Sequence, residues 1–452
     1  MNAASPARLQ ALLARETALY VERHPRSAAL AAQAAPHFLF GLPMHWMRDW
    51  ALPHPLMVQQ AQGHEVVDVD GHRYVDFCLG DSAALFGHSP PPLARAVARQ
   101  AAHGLSAMLP GEALAEVGAL LRQAFGLPRW QLTLSATDAN RFALRWARAV
   151  TGRPRVLVFE GCYHGTVDDC LVDVDNAGRT VTRASLLGQV HDLADGTVVV
   201  PFNDLGAVRA ALAAGDVAAV LTEPALTNCG LVPPQPGFLS GLQSACREAG
   251  VLLILDETHT LSAGPGGMAR QEGLAPDLLV IGKAVAGGVP CAVYGFTDAL
   301  AERMAAAKAA APEGHSGIGT TLSGSLLALA ALRAQLQEVM TPTAWAAAAR
   351  SADALAAALQ ADITARGLPW SLARLGSRME LQFCASPPVD ARAARAAMNE
   401  PLERALHLYW LNRGVLVTPF HNMLLVAPSV DLRAVDAVRH GFRAFLDELG
   451  LG

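Results

Sequence analysis

Residues 277–296 read DLLVIGKAVAGGVPCAVYGF, and this stretch carries the main evidence for the fold. A short apolar run leads directly into Lys283, and two glycines and a proline then prevent a regular element from continuing. A nearly continuous apolar run is typical of a strand that is buried on both faces of a sheet. Because a buried ammonium group is costly unless it is paired, neutralised or used in chemistry, Lys283 requires an explanation.

Seven short apolar runs, two of them in this stretch, alternate with alanine-rich segments after about residue 85. They read WQLTLS, RVLVFEG, TVVVPFND, AAVLTEP, VLLILDE, LLVIGK and CAVYGF. Strands that alternate with helices predict a largely parallel, doubly wound α/β sheet. A long helix that begins near Ser325 is expected to leave this domain, and the runs RMELQFC, GVLVTPF and MLLVAP after it indicate a smaller α+β domain. Alternation around Asp70-Gly71 predicts a hairpin over residues 64–77.

The composition excludes several classes of function. The chain has 452 residues, a formal net charge of −5 and 17% charged residues, so no nucleic-acid surface is indicated. Its seven cysteines show no CxxC spacing, so we expect neither a disulfide framework nor a metal site. The N-terminus lacks a signal-peptide pattern, and no apolar run approaches the ~20 residues that cross a bilayer. These features together predict a cytoplasmic protein with no membrane partner.

Side chains that can bind a ligand follow the strands at the edge where ligands bind in open α/β sheets. They are Ser135, Ala136, Thr137 and Asp138 after LTLS, Tyr163 and His164 after VLVFEGC, Glu223 after AAVLT, Asp256 after VLLIL and Lys283 after LLVIG. Each of them also has a purely structural interpretation. Lys283 could face solvent, Asp256 could cap a helix, Tyr163 and His164 could be core groups, and residues 135–138 could form an ordinary helix N-cap. Their convergence on one edge favours function.

The chemistry of this set points to one cofactor. A lysine that is reached through an apolar strand can lose its proton and form a Schiff base with an aldehyde. An acid on the neighbouring strand can pair with a pyridinium nitrogen and so keep the ring an electron sink. A Ser-Ala-Thr turn that enters a helix offers N–H groups to a phosphate, and a tyrosine can stack on a ring. Together these groups describe a site for pyridoxal 5'-phosphate.

The ordered motifs SATDAN (135–140), GCYHG (161–165), TEP (222–224), LDET (255–258), IGK with GGVP (281–290) and GTTLSG (319–324) resemble those of the class III, fold-type I aminotransferases. The resemblance extends from about residue 40 to the C-terminus and is greatest to the branch of glutamate-1-semialdehyde aminomutase and β-amino-acid transaminases. It implies a large cofactor-binding domain with a mostly parallel seven-stranded sheet. The expected ranges are 76–330 for this domain, 331–452 for a smaller α+β domain, and 1–75 for a segment that contributes to the small domain and the active-site entrance.

The resemblance also implies roles for the residues at the strand ends. Lys283 would form the internal aldimine and then move the proton, Asp256 would bind the pyridine nitrogen, and Tyr163 would stack on the ring. Glu223 would lie near the phenolic oxygen, and Ala136 and Thr137 would hold the phosphate together with Thr321 of the partner subunit in a homodimer with shared active sites. The remaining expected cofactor contacts are Ser135, His164 and Thr258.

Three places depart from the family pattern. Ala136 stands where a glycine is common, and Thr258, followed by His259, stands where a valine is usual; the Thr258 hydroxyl could tune the cofactor or, as we expect, bond a neighbouring carbonyl. The segment 417–428, VTPFHNMLLVAP, lacks the arginine with which many relatives bind a substrate carboxylate, and carries His421 and Asn422 instead.

An arginine in the N-terminal loop GLPMHWMRDW offers a substitute for the missing one. Arg48 could bind a substrate carboxylate or could equally form an ordinary ion pair. Trp46 and Phe86 could line an apolar substrate pocket or could be packing anchors.

The sequence therefore predicts a pyridoxal-phosphate-dependent transaminase. It would move an amino group from an amine or an amino acid, such as a β-amino acid, to a carbonyl acceptor by a ping-pong mechanism. One alternative keeps the cofactor but changes the reaction to an aminomutase of the glutamate-1-semialdehyde type, or to a racemase or epimerase. A second alternative is a non-catalytic protein with the same fold, which the intact Lys283, Asp256 and Tyr163 argue against.

Overall fold

The computed structural model describes residues 5–50 and 52–451. The chain forms two compact units. The first contains Met1–Pro90, Thr343–Pro387 and Ala396–Gly452, and the second contains Pro91–Pro342 and Pro388–Arg395. Residues 76–90 thus group with the N-terminal segment and residues 331–342 with the large unit, which differs from the expected ranges at both ends of the large domain.

The secondary structure is given in chain order. The strands are β1 (Val58–Gln62), β2 (Glu65–Asp68), β3 (Arg73–Asp76), β4 (Arg129–Thr133), β5 (Arg155–Phe159), β6 (Val172–Val174), β7 (Thr180–Thr182), β8 (Thr197–Val200), β9 (Val217–Thr222), β10 (Leu252–Asp256), β11 (Leu278–Ile281), β12 (Ala292–Phe296), β13 (Ser371–Leu375), β14 (Arg378–Gln382), β15 (Val415–Leu416) and β16 (Met423–Leu425). The helices are α1 (Pro6–Arg23), α2 (Pro25–Ala34), α3 (Pro91–Ala101), α4 (Leu114–Phe125), α5 (Ala136–Thr151), α6 (Leu205–Leu212), α7 (Phe238–Ala249), α8 (Gly267–Gln271), α9 (Asp298–Ala310), α10 (Leu326–Ala334), α11 (Pro342–Ala365), α12 (Ala391–Ala397), α13 (Glu400–Leu411) and α14 (Leu432–Leu449).

The second unit is built on a seven-stranded sheet with the order β4-β12-β11-β10-β9-β5-β8. Only β12 runs antiparallel to its neighbours, β11 and β4, and the other strand pairs are parallel. The expected mostly parallel seven-stranded sheet is therefore confirmed. All residues of β9, β10 and β11 are buried, which explains why these strands are apolar without alternation. Each buried aliphatic side chain contributes ~1.5–3 kcal/mol relative to an exposed one.

The strand register brings the predicted ligand-binding residues to one edge of this sheet. Leu255 pairs with Thr222, so Glu223 and Asp256 each follow a paired residue on adjacent strands. Asp256 in turn pairs with Val280, three positions before Lys283. The polar side chains at these strand ends therefore lie level with one another because parallel strands present their carboxyl ends together.

Helix α5 covers one face of the sheet and brings its N-terminus to the same edge. Its buried residues, among them Phe142, Leu144 and Ala147, recur at helical spacing and belong to the same apolar core as the central strands. Ser135 caps the helix, because its side chain accepts a hydrogen bond from the Asp138 amide at 3.2 Å. Gly152 ends it with φ of 68°, a left-handed conformation that glycine adopts readily.

The first unit is an α+β assembly with two small sheets. One has the order β1-β2-β3-β15 and the other β13-β14-β16. The predicted hairpin over residues 64–77 corresponds to the antiparallel pair β2 and β3. No helix among residues 5–50 and 52–451 is long and apolar enough to cross a membrane.

A buried polar network joins the α1–α2 junction to this hairpin. Tyr74 donates a hydrogen bond to Asp68 at 2.7 Å, and His24 and His72 lie 3.4 Å and 3.0 Å from the same carboxylate oxygen. The ligand atoms of His24, Asp68 and His72 lie within 4.8 Å of one another, a spacing that could hold a metal ion. Because these atoms already bond one another, we interpret the cluster as a hydrogen-bond network.

Candidate active site

The structure places Lys283 directly after β11, on a short 3-10 turn formed by Lys283–Ala286. Its φ of 47° lies in the left-handed region, which is unusual for a residue with a long side chain. Backbone strain of this kind clusters at functional sites. A Cβ atom on the preceding Gly282 would lie 2.9 Å from the Ala136 Cβ, so only glycine lets the end of β11 approach the start of α5 this closely.

Asp256 is the last residue of β10 and is buried. Its Oδ2 accepts hydrogen bonds from Asn140 Nδ2 at 2.8 Å and His164 Nδ1 at 3.0 Å, and its Oδ1 accepts one from the Thr258 amide at 3.0 Å. Burial alone would raise the pKa of Asp256, but the hydrogen bond and charge of His164 lower it to about 2. The carboxylate therefore stays ionised inside the sheet.

His164 is buried beside this carboxylate. Burial would lower its pKa, but the hydrogen bond to Asp256 raises it to about 10, so the ring is an imidazolium near neutral pH. The Asn140 side chain also donates to the His164 backbone carbonyl at 3.2 Å and so links helix α5 to the loop after β5. His164 and Asp256 together form a buried ion pair rather than two independent core groups.

Tyr163, the neighbour of His164, lies in a different environment. It is 37% exposed, which is incompatible with the interpretation of its ring as a satisfied core group. Its loop contains Gly161 and Gly165, which adopt positive φ values of 79° and 82°. A Cβ atom on Gly165 would collide with Thr137, so the loop packs closely against the start of α5.

The sequence left two interpretations open for the turn at the start of α5, an ordinary helix N-cap and a phosphate-binding turn. The structure is compatible with both. Ser135 is an N-cap, as the structural interpretation predicts. Ala136 and Thr137 begin the helix, and neither has a positive φ, so alanine fits the position where relatives carry glycine. The Thr137 hydroxyl accepts a hydrogen bond from the Thr166 amide at 3.2 Å. The helix N-terminus offers amide N–H groups and a positive partial charge at this edge.

Glu223 and Thr258 are both buried at the same edge. Glu223 accepts a hydrogen bond from the Thr227 amide at 3.2 Å and another from the Thr227 hydroxyl, so it is anchored in the loop after β9. The expectation that the Thr258 hydroxyl bonds a neighbouring carbonyl is wrong. Its Oγ1 is buried without a hydrogen-bond partner in the described part of the chain.

Thr321 lies in the loop between α9 and α10 and is exposed. It lines a cavity of about 480 Å³ together with Met108, Thr320 and Phe142. The exposed apolar residues Met108, Leu109 and Leu322 lie in the same region of the second unit. The expected contribution of Thr321 to the partner subunit's site stays a prediction.

The three residues predicted to bind substrate belong to the first compact unit. Arg48 lies on the turn His45–Asp49, with its guanidinium 4.9 Å from the centre of the Phe40 ring. No carboxylate within residues 5–50 and 52–451 forms an ion pair with Arg48. The ordinary ion pair that the sequence left open as its other role is therefore not observed there. Trp46 is exposed, with its ring 6.2 Å from that of Phe420. Phe86 is buried and packs edge-to-face on Trp345 at 4.8 Å, as expected of a packing anchor.

Arg48 lines a cavity of about 410 Å³ in this unit. The charged residues around it are Asp49, Glu400, Glu403, Arg404 and His421. Behind His421, the strand β14 carries Arg378, which donates to Glu380 at 2.9 Å. Because Arg378 pairs with Glu380, its charge is already neutralised by a neighbouring carboxylate.

Two further residues at the edge of the sheet were not predicted. Asn140 stands one helical turn after Ala136 in the motif SATDAN, and a polar residue on the apolar face of α5 was the available signal. His259 follows Thr258, and its Nε2 lies 2.9 Å from Lys283 Nζ. No spacing in the sequence predicts that contact, because it depends on how the turn after β10 folds back.

A comparison with known families agrees with this geometry. The model of the class III aminotransferases matches residues 47–436. The chain belongs to this family. A curated relative, the glutamate-1-semialdehyde 2,1-aminomutase of Roseiflexus castenholzii, is 37% identical over 374 residues, which cover 81% of this chain and 83% of the relative.

Solved structures give the same result. The chain matches a glutamate-1-semialdehyde aminomutase from Pseudomonas aeruginosa with a TM-score of 0.96 and 48% identity, covering 98% of this chain and 99% of the other. A lysine-to-alanine variant of an aminomutase from the same organism was solved in complex with PMP. A β-phenylalanine aminotransferase from Variovorax paradoxus matches with a TM-score of 0.86 and 26% identity over 98% of each chain.

The chain is therefore a class III enzyme of fold type I, and its cofactor is pyridoxal phosphate. The described residues fit this cofactor, since a buried ionised carboxylate, an unsatisfied Thr258 hydroxyl and a helix N-terminus lie around Lys283. The relatives favour the alternative of an aminomutase over the transaminase that the sequence predicted first.

Proposed function

We propose that this enzyme is an aminomutase that moves an amino group between neighbouring carbons of one substrate, with glutamate 1-semialdehyde (4-amino-5-oxopentanoate) as that substrate. The observation that carries the proposal is the 48% identity to the Pseudomonas aeruginosa aminomutase over almost the whole of both chains. Curated relatives with the same described activity support it at 32% to 37% identity.

Bound at this site, pyridoxal phosphate supplies an aldehyde carbon that bonds to amines and a pyridine ring that withdraws electrons from the bonded carbon. Asp256 would accept a hydrogen bond from the ring N–H, because its carboxylate is ionised and retains acceptor capacity beyond its three donors. His164 supports this role by keeping the negative charge on Asp256. Tyr163 would cover one face of the ring and so exclude water.

Lys283 would hold the cofactor through its Nζ and, when displaced by the substrate amine, would carry a proton between two carbons as a general base and acid. Its fixed backbone at the end of β11 supports this role, since a proton carrier must reach both atoms from one place. An aminomutase needs this transfer twice for one substrate. Glu223, anchored by Thr227, would contact the phenolic oxygen of the cofactor.

The amide groups of Ala136 and Thr137 would bind the phosphate at the N-terminus of α5, next to the capping residue Ser135. We propose that Thr321 of the partner subunit completes this site in a homodimer. The exposure of Thr321 and of the apolar residues Met108 and Leu109 supports this assignment.

The substrate carboxylate requires a cation, and we propose Arg48 for this role, with Trp46 and Phe86 as apolar neighbours of the substrate chain. The absence of an ion pair to Arg48 among the described residues supports this choice, since its guanidinium keeps its hydrogen-bond donors available.

The experiment that tests the proposal supplies the holoenzyme with 4-amino-5-oxopentanoate alone. We expect conversion to 5-amino-4-oxopentanoate, the isomer in which the amino group has moved to the terminal carbon. A second candidate, a transaminase for β-amino acids, is favoured by the match to the Variovorax paradoxus enzyme. It predicts instead that β-phenylalanine with a 2-oxo acid gives a new amino acid, while the amino aldehyde is not isomerised.

A further inference from the structure

The side chains of Lys283 and His259 meet at the edge of the sheet. Nζ of Lys283 lies 2.9 Å from Nε2 of His259, which is a hydrogen-bond distance. We propose that His259 is a positioning residue for Lys283, whose imidazole accepts a hydrogen bond from Nζ and holds the lysine in place whenever Nζ is not bonded to another group. This inference rests on the proposed role of Lys283 and deepens it.

The backbone of His259 is rigidly held. Its carbonyl accepts hydrogen bonds from the Ser262 amide at 3.2 Å and the Ser262 hydroxyl at 2.9 Å. The buried carboxylate of Glu257 anchors the same turn, because it accepts hydrogen bonds from the Met268 amide at 3.0 Å and from the Thr260 hydroxyl. A ring on such a turn can serve as a fixed reference point for a flexible partner.

Lys283 is fixed at its backbone but not along its side chain. Its φ of 47° and the short 3-10 turn that it begins determine where its Cα lies. The four-carbon stem has several rotatable bonds, and its rotamer entropy would spread Nζ over several positions. The hydrogen-bonding partners of Nζ therefore decide where the nitrogen is found, and His259 is one of these partners, at 2.9 Å.

The direction of the hydrogen bond follows from the donor and acceptor capacity of the two groups. An ammonium nitrogen can only donate, and a neutral imidazole can accept at Nε2. The neutral imidazole then accepts from the ammonium. When Lys283 reacts as an amine, one proton moves from Nζ to Nε2, which frees the nitrogen lone pair and leaves an imidazolium.

Other titratable groups at this edge have different partners. Asp256 on β10 pairs with His164 from the loop after β5. Glu223 after β9 bonds Thr227, and Glu257 bonds the turn that precedes α8. His259 is thus a base that the fold directs at Nζ.

The composition of the chain allows a direct test. Lys283 and Lys308 are the only lysines in the sequence, and Lys308 is an exposed residue of α9. Full-length protein that carries 13Cε-labelled lysine, freed of cofactor as its oxime by hydroxylamine and then dialysed, should therefore give two 13Cε signals, which the Lys308→Arg variant assigns. Lys308 serves as the internal reference, since it lies far along α9 from the strand ends.

In the wild-type chain we expect the Lys283 signal to change in two steps as the pH rises. The step at lower pH reports His259. His164 does not account for that step, because its pKa is raised to about 10. In His259→Gln the amide oxygen still accepts the hydrogen bond but does not titrate, so only the alkaline step should remain. Lys308 should show one step in both proteins.

A single alkaline step for Lys283 in the wild-type chain would overturn the proposal, and this outcome does not depend on any variant folding. A lower step that persists in His259→Gln would also overturn it, since another group would then be responsible. Neither readout requires substrate turnover. The proposed function fails separately, if the holoenzyme does not isomerise the amino aldehyde while Lys283 still titrates in two steps.

Discussion

The Nδ1 atom of His164 lies 3.0 Å from Oδ2 of Asp256, and both side chains are buried at the carboxyl end of β10. The pair is held further by Asn140, which donates to the same carboxylate oxygen at 2.8 Å. A buried ion pair of this kind keeps the Asp256 carboxylate ionised at the edge of the sheet where we propose that the cofactor binds. It also makes the stability of the enzyme depend on pH in two directions.

The first prediction concerns alkaline pH. The folded-state pKa of His164 is raised to about 10 from an ordinary value near 6.5, so its stabilising effect is complete below about pH 6.5 and is lost as the pH rises towards 10. The loss approaches ~1.4 kcal/mol per pH unit for one proton. Denaturant unfolding of the full-length chain without added cofactor, between pH 6 and 10, should show this slope.

The variant His164→Asn is the matched control, because its amide can still donate to Asp256 but does not titrate. Its free energy of unfolding should be lower than that of the wild type at pH 6 and should fall less steeply towards pH 10. Equal slopes for the two proteins would show that His164 is not an imidazolium in the folded state. On the acid side, Asp256 should contribute stability above about pH 4 that disappears as the pH falls towards 2.

The second prediction uses the two lysines of the chain. Lys283→Ala should abolish turnover and prevent borohydride from attaching the cofactor to the protein, because Lys308 is exposed on α9. Lys308→Arg should keep full activity and should carry one cofactor per chain after borohydride treatment, as measured by intact mass. Labelling of Lys308 in the Lys283→Ala variant would contradict the assignment.

The third prediction concerns the partner subunit. Thr321→Ala should weaken cofactor binding by roughly 10- to 150-fold, because one hydrogen bond to a charged phosphate group is lost, which is worth ~1.5–3 kcal/mol. Titration of the cofactor by fluorescence, together with sedimentation velocity, measures affinity and oligomeric state. The exposed Thr320→Ala serves as a neighbouring control. A monomer that binds cofactor at full affinity would refute the shared site.

The fourth prediction separates two arginines in one cavity. Arg48→Ala should raise KM for the substrate by roughly 10- to 100-fold with a smaller change in kcat, because a charge-assisted hydrogen bond to the carboxylate is lost. Arg404 lines the same cavity and lies 3.6 Å from Glu400, so Arg404→Ala is the control and should leave KM nearly unchanged. The reverse pattern in steady-state kinetics would assign the substrate carboxylate to Arg404.

The sequence predicted the sheet because strands such as β9, β10 and β11 are buried on both faces and therefore read as unbroken apolar runs. It also placed Asp256 and Lys283 at one edge, since parallel strands align their carboxyl ends. These features depend on local patterns that a single chain displays directly.

What the sequence did not predict depends on the path of the turns. The turn after β10 leaves the Thr258 hydroxyl without a partner and directs His259 towards Lys283, although both follow Asp256 closely. Tyr163 and His164 are adjacent, yet the loop with Gly161 and Gly165 exposes one side chain and buries the other. Adjacent residues in an irregular loop follow no periodicity, so their orientation could not be inferred.

The measurement that tests the account most directly is a time course of the holoenzyme with 4-amino-5-oxopentanoate as the only added carbonyl compound. The account predicts many turnovers per active site, with the isomer accumulating until equilibrium and no acceleration when a 2-oxo acid is added. Product limited to about one equivalent per site, with sustained turnover only after a 2-oxo acid is supplied, would contradict the aminomutase assignment and identify a transaminase.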